Sequence, residues 1–203
     1  MKIALIGASG NVGSRILEEA LRRGHNIVAI ARDAGKIPAR TGVTAVAADV
    51  KNAAVLASAI KGADVVVSSG RFTTFTAADL LPAVKAAGVK RLAVVGGAGS
   101  LEIAPGKALI DTPEFPAEYK PEASGGRDFL NALRAEDTLD WTFLSPSALF
   151  TAGERTGQFR LGGDQLLVGA DGKSWISYED FAVALLDELE QPKHVRARFT
   201  VGY

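Results

Sequence analysis

Three glycines at a spacing of three, Gly7, Gly10 and Gly13, follow the short apolar run Lys2–Ile6 and precede an amphipathic stretch, Asn11–Arg23. In that stretch Val12, Ile16, Leu17, Ala20 and Leu21 recur at helical spacing, and Gly24 marks a stop. A strand, a tight glycine turn and a helix in immediate succession tightly constrain the fold. The turn must bring the strand close to the helix, and backbone N–H groups at the helix start are then left without partners. Such a turn is an anion site, and G-x-x-G-x-x-G in this context is a dinucleotide-binding signature. The whole run Gly7-Ala8-Ser9-Gly10-Asn11-Val12-Gly13 is therefore expected to cradle a pyrophosphate.

Downstream, β-rich runs alternate with helical stretches: strands at Ile27–Ala31, Val43–Ala47, Ala63–Ser68, Arg91–Val95 and Trp141–Leu144, and helices at Ala53–Ile60, 76–87, Ser124–Ala135 and Phe181–Leu189. Thr76-Ala77-Ala78-Asp79 and Ser177-Tyr178-Glu179-Asp180 have the spacing of helix-capping boxes. This alternation predicts an α/β fold of the doubly wound, Rossmann type. Its sheet is mostly parallel, helices cover both faces, and a small C-terminal substrate lobe is added. The strands read as continuous apolar runs because a parallel sheet is buried on both sides. With 203 residues the chain is expected to form one domain. Ala197–Val201 is expected as an edge strand. Two irregular stretches, Gly96–Pro121 and Ser147–Gly172, are assigned to loops of the substrate lobe, which spans 96–121 and 147–175. The first holds four of the eight prolines and is expected to act as a lid, while Asp171-Gly172 suggests a small hairpin.

Composition narrows the partners. Basic and acidic residues balance at 23 each, without the clustered basic excess of a nucleic-acid binder. There are no cysteines, which excludes disulfides, thiolate metal sites and a cysteine nucleophile, and favours the cytoplasm. No apolar run is long enough for a membrane span, and Ile3–Ile6 is too short for a signal-peptide core, so no membrane association is expected. His25 and His194 are isolated and read as surface residues, and no metal site is expected.

The second strand ends at Ala31-Arg32-Asp33, where this fold meets the adenosine ribose. Arg32, with Lys36 in reach, suits the 2′-phosphate of NADP(H); Asp33 would suit the free hydroxyl of NAD(H). NADP(H) is the favoured reading and NAD(H) the alternative. Asp49-Val50 and Ser68-Ser69-Gly70 lie at strand carboxyl ends, where open α/β sheets bind ligands; they are candidates for contacts with adenine and ribose.

With these residues in view, the chain resembles an atypical short-chain dehydrogenase/reductase. More narrowly, it is similar to the NmrA-like and biliverdin-reductase-B-like group, the NADH-flavin reductase family. The resemblance runs through Gly7–Gly13, Arg32, Asp49-Val50, Gly96-Gly97-Ala98-Gly99-Ser100, Trp141-Thr142-Phe143-Leu144-Ser145-Pro146 and Ile176-Ser177-Tyr178-Glu179-Asp180, nearly the whole length. It implies a cofactor lying across the carboxyl edge of the sheet, its nicotinamide bordered by Pro146 and Ser147. It also implies hydride transfer to a planar acceptor, a flavin or quinone, with flavin as substrate rather than a resident group.

One departure matters. The superfamily's catalytic Tyr-x-x-x-Lys is missing, since Tyr119 is followed four residues on by Ala123 and Tyr178 by Ala182. Activated-tyrosine carbonyl reduction is therefore not expected. Hydride transfer to a flavin tolerates the loss, because the two ring systems carry the chemistry. Ser100 is the candidate catalytic side chain, or else a cap for the Gly96–Gly99 turn. Phe72 and Phe75 are candidates for an acceptor wall, although core packing suits them better. The alternative function is a non-catalytic NADP(H)-binding redox sensor of the NmrA type. The protein is expected to act as a monomer or homodimer.

Overall fold

A computed structural model covering residues 1–203 shows twelve strands and five helices. The strands are β1 (Lys2–Ile6), β2 (Asn26–Ala31), β3 (Val43–Ala47), β4 (Val65–Ser68), β5 (Arg91–Val95), β6 (Glu102–Ala104), β7 (Lys107–Ala108), β8 (Asp140–Pro146), β9 (Leu149–Thr151), β10 (Arg160–Gly162), β11 (Trp175–Ser177) and β12 (Ala197–Gly202). The helices are α1 (Asn11–Arg22), α2 (Ala53–Ile60), α3 (Ala77–Ala86), α4 (Lys120–Arg134) and α5 (Tyr178–Glu190).

Eight strands form one sheet in the order β10-β12-β8-β5-β4-β1-β2-β3, parallel except for β10. The chain moves outward from β1 through β2 to β3, then crosses back to lay β4 on the other side of β1. The strand order reverses between β1 and β4, and a crevice at the carboxyl ends of such a pair is where doubly wound sheets bind ligands. The residues of β1 alternate between two cores. Ile3 and Leu5 face α1 and α5, while Ala4 and Ile6 face α2, α3 and α4. Burial on both faces explains why β1 and β4 are apolar throughout.

Local signals set the helix ends. Ser177 Oγ accepts the Asp180 amide at 2.9 Å and caps α5 as its spacing predicts. At α3 the Asp79 carboxylate accepts both the amide and the hydroxyl of Thr76, at 2.8 and 2.9 Å. Gly24 ends the α1 turn at φ +77°, a conformation only glycine adopts freely.

Four expectations need correction. β12 is not an edge strand: β10 pairs outside it, antiparallel, from within the stretch assigned to a loop. The Asp171-Gly172 turn closes no hairpin, because the strands flanking it, β10 and β11, lie in different sheets: β10 pairs with β12, and β11 pairs parallel with β9. Helix α4 starts at Lys120 rather than Ser124, since Pro121 lies in its first turn, where the missing N–H costs nothing. The Gly96–Pro121 stretch is not an open loop either. It contains the β6–β7 hairpin, and Leu101 and Ile110 are buried in the protein interior.

Candidate functional site

The glycine turn is shaped by contacts that leave no room for side chains. Gly7 has φ +81°, and a β-carbon there would lie 2.5 Å from the Ser69 carbonyl oxygen. A β-carbon on Gly13 would lie 2.1 Å from the Gly7 carbonyl oxygen, so α1 rests directly against the turn. The amides of Gly7 and Ala8 are both held by the Ile30 carbonyl of β2, at 2.8 and 3.3 Å. Gly10 is the N-cap of α1 and supplies no side-chain cap, and the first turn carries no acidic residue. The amides of Asn11 and Val12 have no partner in the protein. Ser9, Gly10 and Asn11 are exposed, whereas Ala8 and Gly13 are buried and Val12 packs against the α1-side core. Free amides, a positive helix end and the close backbone approach that Gly7, Gly10 and Gly13 permit together fit a pyrophosphate.

At the end of β2 the structure separates two neighbours that the sequence leaves in competition. Asp33 Oδ1 accepts the Gly35 amide at 3.0 Å and caps the short 3-10 turn Ala34–Lys36. Arg32 and Lys36 are exposed and engage no carboxylate. Asp33 Oδ1 is engaged by its own turn, whereas the two cations have no partner.

Asp49 is exposed and its carboxylate accepts the Lys51 amide at 2.9 Å, while Val50 is buried in the core beneath α2 and α3. Ser68 is buried at the end of β4; Ser69 and Gly70 form the open rim next to Gly7. Phe72 stacks on Phe143 at 6.1 Å and meets Phe129 tilted at 5.4 Å, and Phe75 is buried, so both rings pack with the core. The loop carrying them is tied down by Glu122 of α4. Its carboxylate accepts the amides of Phe72 and Thr73 and the Thr73 hydroxyl, at 2.8, 3.1 and 2.9 Å.

At the ends of β5 and β8 the chain presents Gly96-Gly97-Ala98 and Pro146-Ser147-Ala148. Gly96 is required by packing, since a β-carbon there would lie 2.3 Å from the Phe143 ring, whereas Gly97 faces open space. Pro146 is buried, and the buried Ser147 hydroxyl donates to the Val201 carbonyl at 3.0 Å. Ser100 Oγ accepts from Arg198 Nη1 at 3.4 Å, beside the Arg198–Asp164 ion pair. Sequence reasoning passed over Ser145, whose hydroxyl is buried next to Pro146 without a hydrogen-bond partner.

The other side of the crevice also lay outside the sequence reading. Arg15 of α1 donates to the Asn11 carbonyl at 3.3 Å, to Ser14 Oγ at 3.2 Å and to Glu179 of α5 at 2.9 Å. Burial opposes the charge on Glu179, but Arg15 and the Gly153 amide outweigh it and hold the carboxyl below the usual range. The Arg15 guanidinium lies 5.8 Å from the centre of the Tyr178 ring, and Phe150 meets that ring edge-on at 4.7 Å. The one legible hint is that Arg15 stands a helical turn after Asn11, on the same face.

At the opposite, amino-terminal end of the sheet, neither histidine is isolated. His25 Nε2 lies 2.8 Å from Glu190 and His194 Nδ1 lies 2.8 Å from Glu188, with the His194 ring stacked on Phe199 at 4.0 Å. Both carboxylates come from the end of α5, far along the chain from His25 and therefore invisible in local sequence. No helix is long and apolar enough to cross a membrane.

A family model described as NAD(P)H-binding matches residues 7–192. Among solved structures, a Bacteroides thetaiotaomicron protein named as a candidate epimerase is 45% identical with a TM-score of 0.94, covering 100% of this chain and 96% of its own. A Burkholderia pseudomallei protein named as a candidate exported protein is 46% identical with a TM-score of 0.90, covering 100% of both chains. A Streptococcus pneumoniae protein named as a candidate NADH-flavin reductase is 35% identical with a TM-score of 0.83, covering 100% of this chain and 99% of its own. The three names differ while the fold does not. The chain belongs to the NAD(P)H-binding family, as a domain of Rossmann type.

Proposed function

We propose that this protein is an NADPH-preferring oxidoreductase that reduces a planar conjugated acceptor, a flavin or quinone. The observation that carries this reading is the bare carboxyl edge at β5 and β8. Gly96, Gly97, Ala98, Pro146 and Ala148 bring no ionisable group, and the Ser147 hydroxyl is spent on Val201. An edge of this kind can hold two flat rings together and exclude water, which is what ring-to-ring hydride transfer needs from a protein. It lacks the activated tyrosine that carbonyl reduction or epimerisation requires. Tyr119 is 61% exposed at the start of α4 and is followed one turn later by Ala123.

In this reading the amides of the Gly7–Gly13 turn bind the pyrophosphate, and Arg32 with Lys36 binds the 2′-phosphate. Asp49 meets the adenine, Ser69 and Gly70 pass beneath the ribose, and Pro146 borders the nicotinamide. Ser100 offers a hydroxyl to the acceptor once the 96–101 turn is engaged. NADPH, when bound, supplies the hydride.

Calorimetric titration with NADPH and NADH, followed by an acceptor screen at 340 nm on the same sample, tests the proposal. Tighter binding of NADPH with turnover of FMN or a quinone is the expected result. Tight binding with no turnover across the panel would instead support an NADP(H) sensor, to which the same bare edge is suited. Absence of binding would overturn both.

A further inference from the structure

The dinucleotide crevice has a second wall, and its residues have been given no part so far. Arg15, Tyr178 and Phe150 come from α1, α5 and β9, and they meet beside the first turn of α1. Phe150 is wedged between Tyr178 and the buried ring of Phe181, with ring centres 4.7 and 4.8 Å apart, so the aromatic pair is anchored in the core. Arg15 spans the gap between the helices. One end holds the Asn11 carbonyl within the glycine turn, and the other holds Glu179, the residue after Tyr178. Glu179 in turn accepts the Gly153 amide at 2.9 Å, which fixes the segment following β9. The result is a half-buried tyrosine ring, held on two sides, whose hydroxyl has no partner in the protein.

Its position selects a ligand group. The adenosine half of a dinucleotide runs from the glycine turn toward Arg32, just after β2. The other half must run the opposite way, across β4 and β5 toward the end of β8. Phe150 lies four residues beyond Pro146, the last residue of β8, so Tyr178 stands on this second side. A neutral hydroxyl that approaches a pyrophosphate from there meets the phosphate leading to the nicotinamide ribose.

We infer that Tyr178 donates a hydrogen bond to the nicotinamide-side phosphate of NADPH, with Arg15 as the positioning residue that locks Tyr178 against the glycine turn. The inference rests on the NADPH reading above. It adds a side-chain ligand to a site otherwise made of backbone amides. It also gives a use to a tyrosine that has no lysine partner in its own helix.

Tyr178→Phe keeps the ring and its packing and removes only the hydroxyl. Wild type and variant are each titrated by calorimetry with NADPH and with adenosine 2′,5′-bisphosphate, a fragment that lacks the nicotinamide-side phosphate. Loss of one charge-assisted hydrogen bond should raise the NADPH Kd about tenfold. The fragment Kd and the thermal midpoint should not change. An NADPH Kd within about twofold of wild type, or an equal weakening of the fragment, would overturn the assignment of Tyr178 while leaving the cofactor reading intact. A wild-type protein that binds neither ligand would overturn the cofactor reading itself. Arg15→Lys provides a second measurement. It keeps the charge but loses the planar fork that links Asn11 to Glu179, and should weaken NADPH more than the fragment. Equal weakening of the two ligands would count against the positioning role.

Discussion

Gly13 lies so close to Gly7 that a single added β-carbon would stand 2.1 Å from the Gly7 carbonyl oxygen. This contact sets the distance between β1 and α1, and hence where the free amides of the helix start are presented. The obstructing atom is backbone and cannot rotate away. Gly13→Ala should therefore destabilise the fold by about 1–3 kcal/mol, as overpacking does, and abolish dinucleotide binding. Urea denaturation and calorimetric titration measure the two effects separately.

Arg32 is exposed at the end of β2 and forms no ion pair, while Asp33 Oδ1 caps the turn through the Gly35 amide. Arg32→Ala should raise the NADPH Kd about tenfold to a hundredfold through loss of a charge-assisted phosphate contact, and leave NADH within about threefold. Equal losses for both cofactors would remove Arg32 from the phosphate site.

Glu19 sits under the strap that follows β9. Arg155 holds it with two hydrogen bonds at 2.7 and 2.8 Å, and Arg23 adds a third at 2.8 Å. Arg155 foremost, with Arg23 alongside and against the opposing effect of burial, holds the Glu19 carboxyl at about 2, down from its ordinary 4.5. Since the folded-state value is the lower one, folding favours the charged carboxylate. That stabilisation is present above pH 4.5 and is lost as pH falls toward 2. Glu19→Gln should be less stable than wild type at neutral pH by about 3 kcal/mol, with the gap closing in acid. Denaturant titrations across that range should trace the convergence; a gap independent of pH would refute the ionic account.

Glu122 tethers the Phe72–Thr73 loop through three hydrogen bonds to one carboxylate. Glu122→Ala should speed amide exchange at Phe72 and Thr73 by about tenfold or more, with β1 and β4 unaffected. Exchange mass spectrometry resolves this, and unchanged protection in the loop would show that Phe72 packing alone holds it.

The elements read correctly from sequence carry their cause in neighbouring residues. The strand β1, the turn at Gly7–Gly13, the start of α5 at Ser177 and the pairing of Thr76 with Asp79 each depend on side chains a few positions apart. The short strands within 147–175 were missed for the opposite reason. β10 is three residues long and is stabilised by pairing with β12, about forty residues later, so nothing local marks it.

The sequence by itself determined a parallel, doubly wound sheet with a tight glycine turn between its first strand and first helix, because apolar periodicity and glycine spacing act over a few residues. Only the tertiary structure decided which charges are free to meet a ligand. Arg32 is left unpaired, Arg15 is drawn to Glu179 across 164 residues of chain, and Tyr178 is brought beside Arg15. The placement of Arg15 and Tyr178 follows from packing α5 against α1 over one sheet face. Contacts of that range carry no periodic trace in the order of the residues.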